Sequence, residues 1–228
     1  MPADELKGKA AIVTGASKGI GRAIAERLAA EGADVALVAR SADALKGAAE
    51  AIAAAHGVRA FPVPADLSNE AGCAEAARLA FDALGRCDIL VNCAGATRAG
   101  KFPDQPDADW IDGFALKFFG AVRLTRALWP ALKDARGTVI NIGGAAAYTP
   151  GAGFMVGGAV NAALAHFTKA LSKQGLADDV NANIVHSGMT QSDRMEDLVR
   201  QNAAAQGISE DEVRRRNIAA AGTRRLGE

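Results

Sequence analysis

The sequence predicts an α/β protein built on a doubly wound parallel sheet with helices on both faces, and three observations carry that prediction. Short β-branched runs alternate with longer segments rich in Ala, Leu, Glu and Arg, the pattern of successive βαβ units. Within the longer segments apolar residues recur at spacings of three and four, as they do in helices lying on a sheet. No linker, repeat or low-complexity stretch divides the 228 residues, so one domain spanning 1–228 is expected.

Taken in order, the first strand is Lys9–Val13, an apolar run closed by Thr14 and Gly15. Helix Ile20–Ala30 follows, with Gly32 where a C-cap falls. Strand Asp34–Ala39 leads to helix Ala42–Ala55, which stops before Gly57. Strand Arg59–Pro62 leads to helix Glu70–Leu84, with Ser68 as its expected N-cap. The second half repeats the pattern: strand Ile89–Val91, helix Asp107–Leu132, strand Thr138–Ile142, helix Val156–Gln174 and strand Asn183–His186. Right-handed crossovers then place the helices on both faces of the sheet.

Composition removes several function classes. Lys+Arg and Asp+Glu are each 26, a net charge of zero, which argues against nucleic acid or an anionic membrane as the main partner. Cysteines at 73, 87 and 93 are too few and too unevenly placed for a disulfide framework or a zinc site, so no metal is expected and a reducing cytoplasm fits. The start carries no basic segment leading into an apolar run, as a signal peptide would. The longest stretch without Asp, Glu, Lys or Arg, 137–168, is interrupted by Pro150 and several glycines and reads as buried rather than membrane-spanning.

The strongest local motif is Thr14-Gly15-Ala16-Ser17-Lys18-Gly19-Ile20-Gly21, directly after a strand and opening a helix. Glycines there permit a tight turn, close approach to a pyrophosphate and close helix–strand contact, while the helix N-terminus offers N–H groups to the anion. Asp66-Leu67 follows the third strand and Asn92-Cys93-Ala94-Gly95 the fourth, both at the carboxyl edge where open α/β sheets bind ligands.

With these motifs the sequence resembles the short-chain dehydrogenase/reductase family, a resemblance that Arg126-Ala127-Leu128-Trp129-Pro130, Phe167-Thr168-Lys169-Ala170-Leu171 and Arg225-Leu226-Gly227-Glu228 extend over the whole chain. It implies a Rossmann-type fold and a nicotinamide dinucleotide held by Gly15, Ser17, Lys18, Gly19, Ile20, Gly21, Asp66, Leu67, Asn92, Ala94, Gly95 and Gly188. Arg40 ends the second strand where an acidic residue would bond the ribose of NAD; a guanidinium there can grip a 2′-phosphate, and Lys18 adds a second cation. NADP is therefore the expected cofactor, with a solvated Arg40 as the plainer alternative.

The resemblance fails at the family's Asn–Ser–Tyr–Lys tetrad. Aligned through matching neighbours, Lys117 stands at the asparagine position, Gly144 at the serine, Gly157 at the tyrosine and Asn161 at the lysine. The chain has one tyrosine, Tyr148, outside the Tyr-x-x-x-Lys spacing, and His186-Ser187-Gly188 replaces the usual Asn-Pro-Gly. Lys117, Asn161 and Tyr148 are the candidate catalytic residues: an exchanged Lys117/Asn161 pair would keep one ammonium and one amide in the pocket, against the simpler alternatives of a solvent-facing Lys117 and a Tyr148 that only walls the cleft. Glycine has no proton to give, so about 3–5 kcal/mol of barrier lowering lacks a donor.

Two readings stand: an NADP-dependent oxidoreductase with a non-standard site acting on an unidentified carbonyl or alcohol, or a catalytically inactive nucleotide-binding protein serving as sensor or partner subunit. The family's last helix and strand have no counterpart before Glu228, and a homo-oligomer through the fourth and fifth predicted helices is expected from the resemblance.

Overall fold

The computed structural model describes residues 5–188, 190–220 and 227, and in it the chain divides into two compact units, 1–185 and 186–228. β1 (Ala10–Thr14) is buried at all five positions, as a strand covered on both faces must be. The first half continues with α1 (Gly19–Ala30), β2 (Asp34–Ala39), α2 (Ala42–His56), β3 (Ala60–Pro64) and α3 (Glu70–Leu84). The second half runs through β4 (Ile89–Asn92), α4 (Asp107–Gly113), a π-helical segment (Phe114–Phe119), α5 (Gly120–Ala135), β5 (Thr138–Gly144), α6 (Met155–Asp178) and β6 (Asn181–Ser187).

The sheet order is β3-β2-β1-β4-β5-β6. The chain winds outward from β1 to β3 and then returns to the other side of β1, which creates a switch point between β1 and β4. The pairing is parallel, with Val13 opposite both Leu37 and Val91. Successive residues feed opposite faces. Ile12, Val38 and Leu90 pack with Ala76 and Ala80 of α3 and with Leu124, Leu128 and Leu132 of α5. Val13, Leu37 and Val91 pack with Ala25 and Ala29 of α1 and Leu45 and Ile52 of α2. Each fully buried leucine contributes about 1.5–3 kcal/mol of transfer energy, and the alanines let the helices approach the strands closely.

At the amino edge of the sheet Asp88 is 5% exposed and accepts hydrogen bonds from Ala10 N at 2.9 Å, Lys9 Nζ at 3.1 Å and Arg86 Nε at 2.6 Å. Burial alone would raise its pKa, but Arg86, the Ala10 N–H and Lys9 outweigh it and hold the carboxyl below its ordinary value. The clamp fixes the starts of β1 and β4 together, leaving the opposite edge to ligands.

Two expectations need correction. Asn69, not Ser68, caps α3: its Oδ1 accepts from Gly72 N at 2.8 Å, while Ser68 bonds back to Asp66. The continuous helix expected over 107–132 is interrupted by the π segment, whose wider turn shifts the following side chains around the axis. Beyond β6 the chain forms α7 (Asp193–Gln206) and α8 (Glu210–Ala220), which the sequence reading did not assign. These two pack through Val199, Ala203 and Val213, and Arg214 of α8 reaches Glu196 of α7 at 2.5 Å. Of the Arg225–Glu228 motif, Gly227 forms a bridge with Thr190 and the remainder lies outside the described residues. Among the described residues no helix is long and apolar enough to cross a membrane.

Candidate functional site

The glycine-rich turn after β1 is tied to the turn after β4 by one side chain. Thr14 is 1% exposed, and its Oγ1 accepts from the N–H groups of Cys93 and Ala94, both at 2.9 Å. The three glycines of the turn are needed for three different reasons. Gly15 has φ +67° and backs onto Ala94, whose N would lie 3.1 Å from an added Cβ. At Gly21 a Cβ would stand 2.5 Å from Gly15 O. Gly19 has φ +59° but a Cβ there meets nothing within 4 Å, so its demand is conformational and the space above it is open.

Ser17 and Ile20 are half-buried at this turn, with Lys18 and Gly19 exposed beside them. Lys18 is the N-cap of α1 and makes no side-chain capping bond, and the first turn of α1 carries no acidic residue. The positive end of the helix, with its N–H groups, is thereby left to an anion. Arg40 follows β2, is exposed, and is close enough to Asp66 to lower its pKa. The Asp66 carboxylate accepts from Ser68 N at 3.1 Å and Ser68 Oγ at 2.9 Å. The Ser68 N–H is the largest cause holding it below the ordinary carboxylate value; burial opposes this, and Arg40 assists.

Two of the expected binding residues turn out to face inward. Leu67 is 4% exposed, a core residue whose carbonyl rests against Gly120 at 2.8 Å from a would-be Cβ. Asn92 is 5% exposed, and its amide donates to Thr125 Oγ1 at 3.0 Å and Asn141 Oδ1 at 2.9 Å. Asn141 in turn donates to Thr168 Oγ1 at 2.8 Å, which donates to Leu164 O at 2.7 Å. This buried chain joins β4, β5, α5 and α6; buried amides left unpaired would each cost about 1–3 kcal/mol. Ala94 and Gly95 then carry the backbone onto the carboxyl edge, where Gly95 is exposed. Gly188 lies just past β6 in the second unit, with nothing within 4 Å of an added Cβ.

Lys117 does not extend into solvent. The π segment turns it onto Gly95, where its Cδ and Cγ lie 2.8 and 3.0 Å from a would-be Cβ, and the residue is half-buried. Its charge reaches Cys93: burial pushes that thiol up to about 11, and Lys117 works against the rise. Asn161 is 4% exposed, packs on Gly144 with Nδ2 3.2 Å from a would-be Cβ, and donates to Gly157 O at 2.7 Å. Asn161 Oδ1 is buried with no hydrogen-bond partner among the described residues. Tyr148 ends the 3₁₀ turn Ala145–Ala147 and is 71% exposed, a phenol facing water.

Sequence reasoning missed two residues here. Phe154, three residues earlier, folds its ring over Gly157, so that any side chain at 157 would require the ring to move. Nothing in the spacing announced this. Gly72 in the first turn of α3 is the second, since a Cβ there would run into Asp66 O. Its signal was legible: a glycine where a helix prefers alanine, just after an acidic turn. Among the described residues no cluster of His, Cys, Asp and Glu could hold a metal.

Comparison with known proteins supplies context for this geometry. Residues 9–203 match the family model for short chain dehydrogenases. The chain is 34% identical over 190 residues to 3-oxoacyl-[acyl-carrier-protein] reductase FabG of Aquifex aeolicus, covering 83% of this chain and 77% of that protein. Among solved structures it resembles L-sorbose reductase from Gluconobacter frateurii, complexed with NADPH and L-sorbose, at a TM-score of 0.88 and 30% identity over 93% of this chain and 81% of that one. It also resembles a short chain dehydrogenase from Burkholderia cenocepacia in complex with NADP, with a TM-score of 0.78 and 36% identity over 82% and 77% of the two chains.

Proposed function

The chain belongs to the short-chain dehydrogenase/reductase family of oxidoreductases, and from that premise we propose that it is an NADP(H)-binding protein without the family's tyrosine-centred reductase chemistry. The cradle after β1 fits a dinucleotide: Gly15 and Gly21 close the turn, Gly19 leaves space, and α1 presents an uncapped positive end. Arg40 and Lys18 supply cations for a 2′-phosphate, and no carboxylate stands at position 40 to favour NAD. The relatives complexed with NADPH and NADP support the same choice.

NADPH bound there would supply a hydride. Reducing a carbonyl also demands a proton at the oxygen, and the positions that hold the family's tyrosine, serine and lysine offer none here: Gly157 and Gly144 have no side chain, and the Asn161 amide donates to Gly157 O. The observation that carries the reading is the Phe154 ring seated on Gly157. The test pairs a calorimetric NADPH titration with NADPH oxidation across a carbonyl panel. Binding without turnover above background is expected, and turnover at ordinary enzyme rates of about 1–10³ s⁻¹ overturns it.

One observation favours a second reading, an altered oxidoreductase. The stem of Lys117 lies over Gly95 and its charge acts on Cys93, at the position where the family has an amide. If slow turnover is found, Lys117→Ala abolishing it without loss of NADPH affinity would establish Lys117 as the donor.

A further inference from the structure

The turn that carries Asp66 contains two peptide planes around Ser68, and each is gripped from outside the turn. The first plane joins Leu67 to Ser68. Its N–H donates to the Asp66 carboxylate at 3.1 Å. Its carbonyl, Leu67 O, accepts from Cys73 Sγ of α3 at 3.4 Å and backs onto Gly120 at the start of α5, 2.8 Å from a would-be Cβ. Because a peptide unit is planar, fixing the carbonyl fixes the direction in which the N–H points. The second plane joins Ser68 to Asn69, and its carbonyl, Ser68 O, accepts from Arg123 Nη1 at 3.2 Å.

Arg123 reaches that carbonyl from α5. It is half-buried, and its guanidinium lies 5.3 Å from the centre of the Phe119 ring, the last residue of the π segment. The ring's quadrupole holds a cation over its face, and a charged donor bonds a carbonyl about twice as strongly as a neutral one. The charge of Arg123 also opposes the rise that burial imposes on the Cys73 thiol. A chain of contacts results: Phe119 aims the guanidinium, the guanidinium holds Ser68 O, and Ser68 N and Oγ hold the Asp66 carboxylate within reach of the charge on Arg40.

We propose that Arg123 is a positioning residue of the nucleotide site, acting through Ser68 to hold the turn in the geometry that keeps Asp66 available to the nucleotide. This rests on the reading of the cleft as an NADP(H) site. It adds a residue that lies outside both the glycine-rich turn and the strand ends, on a helix that otherwise packs against the sheet through Leu124, Leu128 and Leu132.

Calorimetric titration of the full chain with NADP+ tests this through two variants of similar shape. Arg123→Met keeps a stem on Phe119 and loses the donor, whereas Arg123→Lys keeps a charged donor. Arg123→Met should weaken NADP+ about tenfold and Arg123→Lys less than about threefold, a difference that a packing role alone would not produce. On an Asp66→Ala background, itself weakened, Arg123→Met should cost less than about threefold more, because no carboxylate is left to aim. Wild-type affinity in Arg123→Met overturns the proposal, as does equal weakening of the Met and Lys variants, or the full tenfold loss on the Asp66→Ala background. Should Arg123→Met not fold, Phe119→Leu decides: it removes the ring at a position 44% exposed, and unchanged NADP+ affinity there overturns the proposal. A wild type that does not bind NADP+ overturns the NADP(H) reading itself.

Discussion

The glycines of the nucleotide turn and those at two of the family's catalytic positions look alike in sequence and meet different atoms. On the first side they face backbone: Gly15 abuts Ala94, Gly21 sits at Gly15 O and Gly72 at Asp66 O. At the two positions where the family has its serine and tyrosine they face side chains: Gly144 meets the Asn161 amide, and Gly157 meets the Phe154 ring. A glycine pressed by backbone is costly to replace, because the chain it faces must shift to admit a Cβ. One pressed by a side chain marks a gap that a neighbour has filled. The contrast separates a cradle that is still built for a ligand from a catalytic position that has closed.

The sharpest way to break this contrast is to refill the second side. Gly144→Ser, Gly157→Tyr, Asn161→Lys and Lys117→Asn together should stay at background, since Phe154 stands where the tyrosine must enter. Adding Phe154→Ser should raise NADPH-dependent ketone reduction by roughly 10²–10⁴-fold, the usual worth of a general acid. Activity in the four-change protein, measured on the same ketones, would show that the ring yields and the site is not closed.

On the first side the expected effects are losses. Gly21→Ala drives a Cβ to 2.5 Å from Gly15 O, and should destabilise the fold by about 1–3 kcal/mol, as overpacking does, while abolishing NADP+ binding. Thermal denaturation and titration of the same sample read both. Arg40→Asp should weaken NADP+ by about 10–100-fold and improve NAD+, the equivalent of one or two charge-assisted bonds; unchanged preference would reduce Arg40 to a solvated loop residue. The smallest effect belongs to Gly144→Ala. Its Cβ would lie 3.2 Å from Asn161 Nδ2, an atom that can move, and the gain in backbone order offsets the crowding, so a change below about 1 kcal/mol is expected by denaturant unfolding. A loss as large as that of Gly21→Ala would erase the distinction between the two sides.

Much of the first side was legible because its signals are local. Strand Asp34–Ala39 and helix Glu70–Leu84 stand in the structure where periodicity placed them, and the Thr14–Gly21 turn declares its own geometry through glycine. The second side depends on contacts between distant or oddly phased residues. That Lys117 lies on Gly95 follows from a π turn, and no apolar spacing distinguishes a π turn from an α-helix when the flanking helices are both regular. Asn92 looked like a binding residue because of its place at a strand end; its partners Thr125, Asn141 and Thr168 are unremarkable in sequence, and only the fold brings them together. Ser68 was the expected cap, but Asp66 engages it, and the adjacent Asn69, an equally good capping type, takes the position.

The Phe154 ring over Gly157 also fixes the order in which substitutions can be accepted. A tyrosine arising at 157 can be accommodated only if the ring moves aside, whereas loss of the ring first merely uncovers a glycine. A change at 154 made first would ease the return of a side chain at 157 while conferring no activity of its own. A library randomised at 157 alone would return no improved variant, and the same library made on a Phe154→Ser background would.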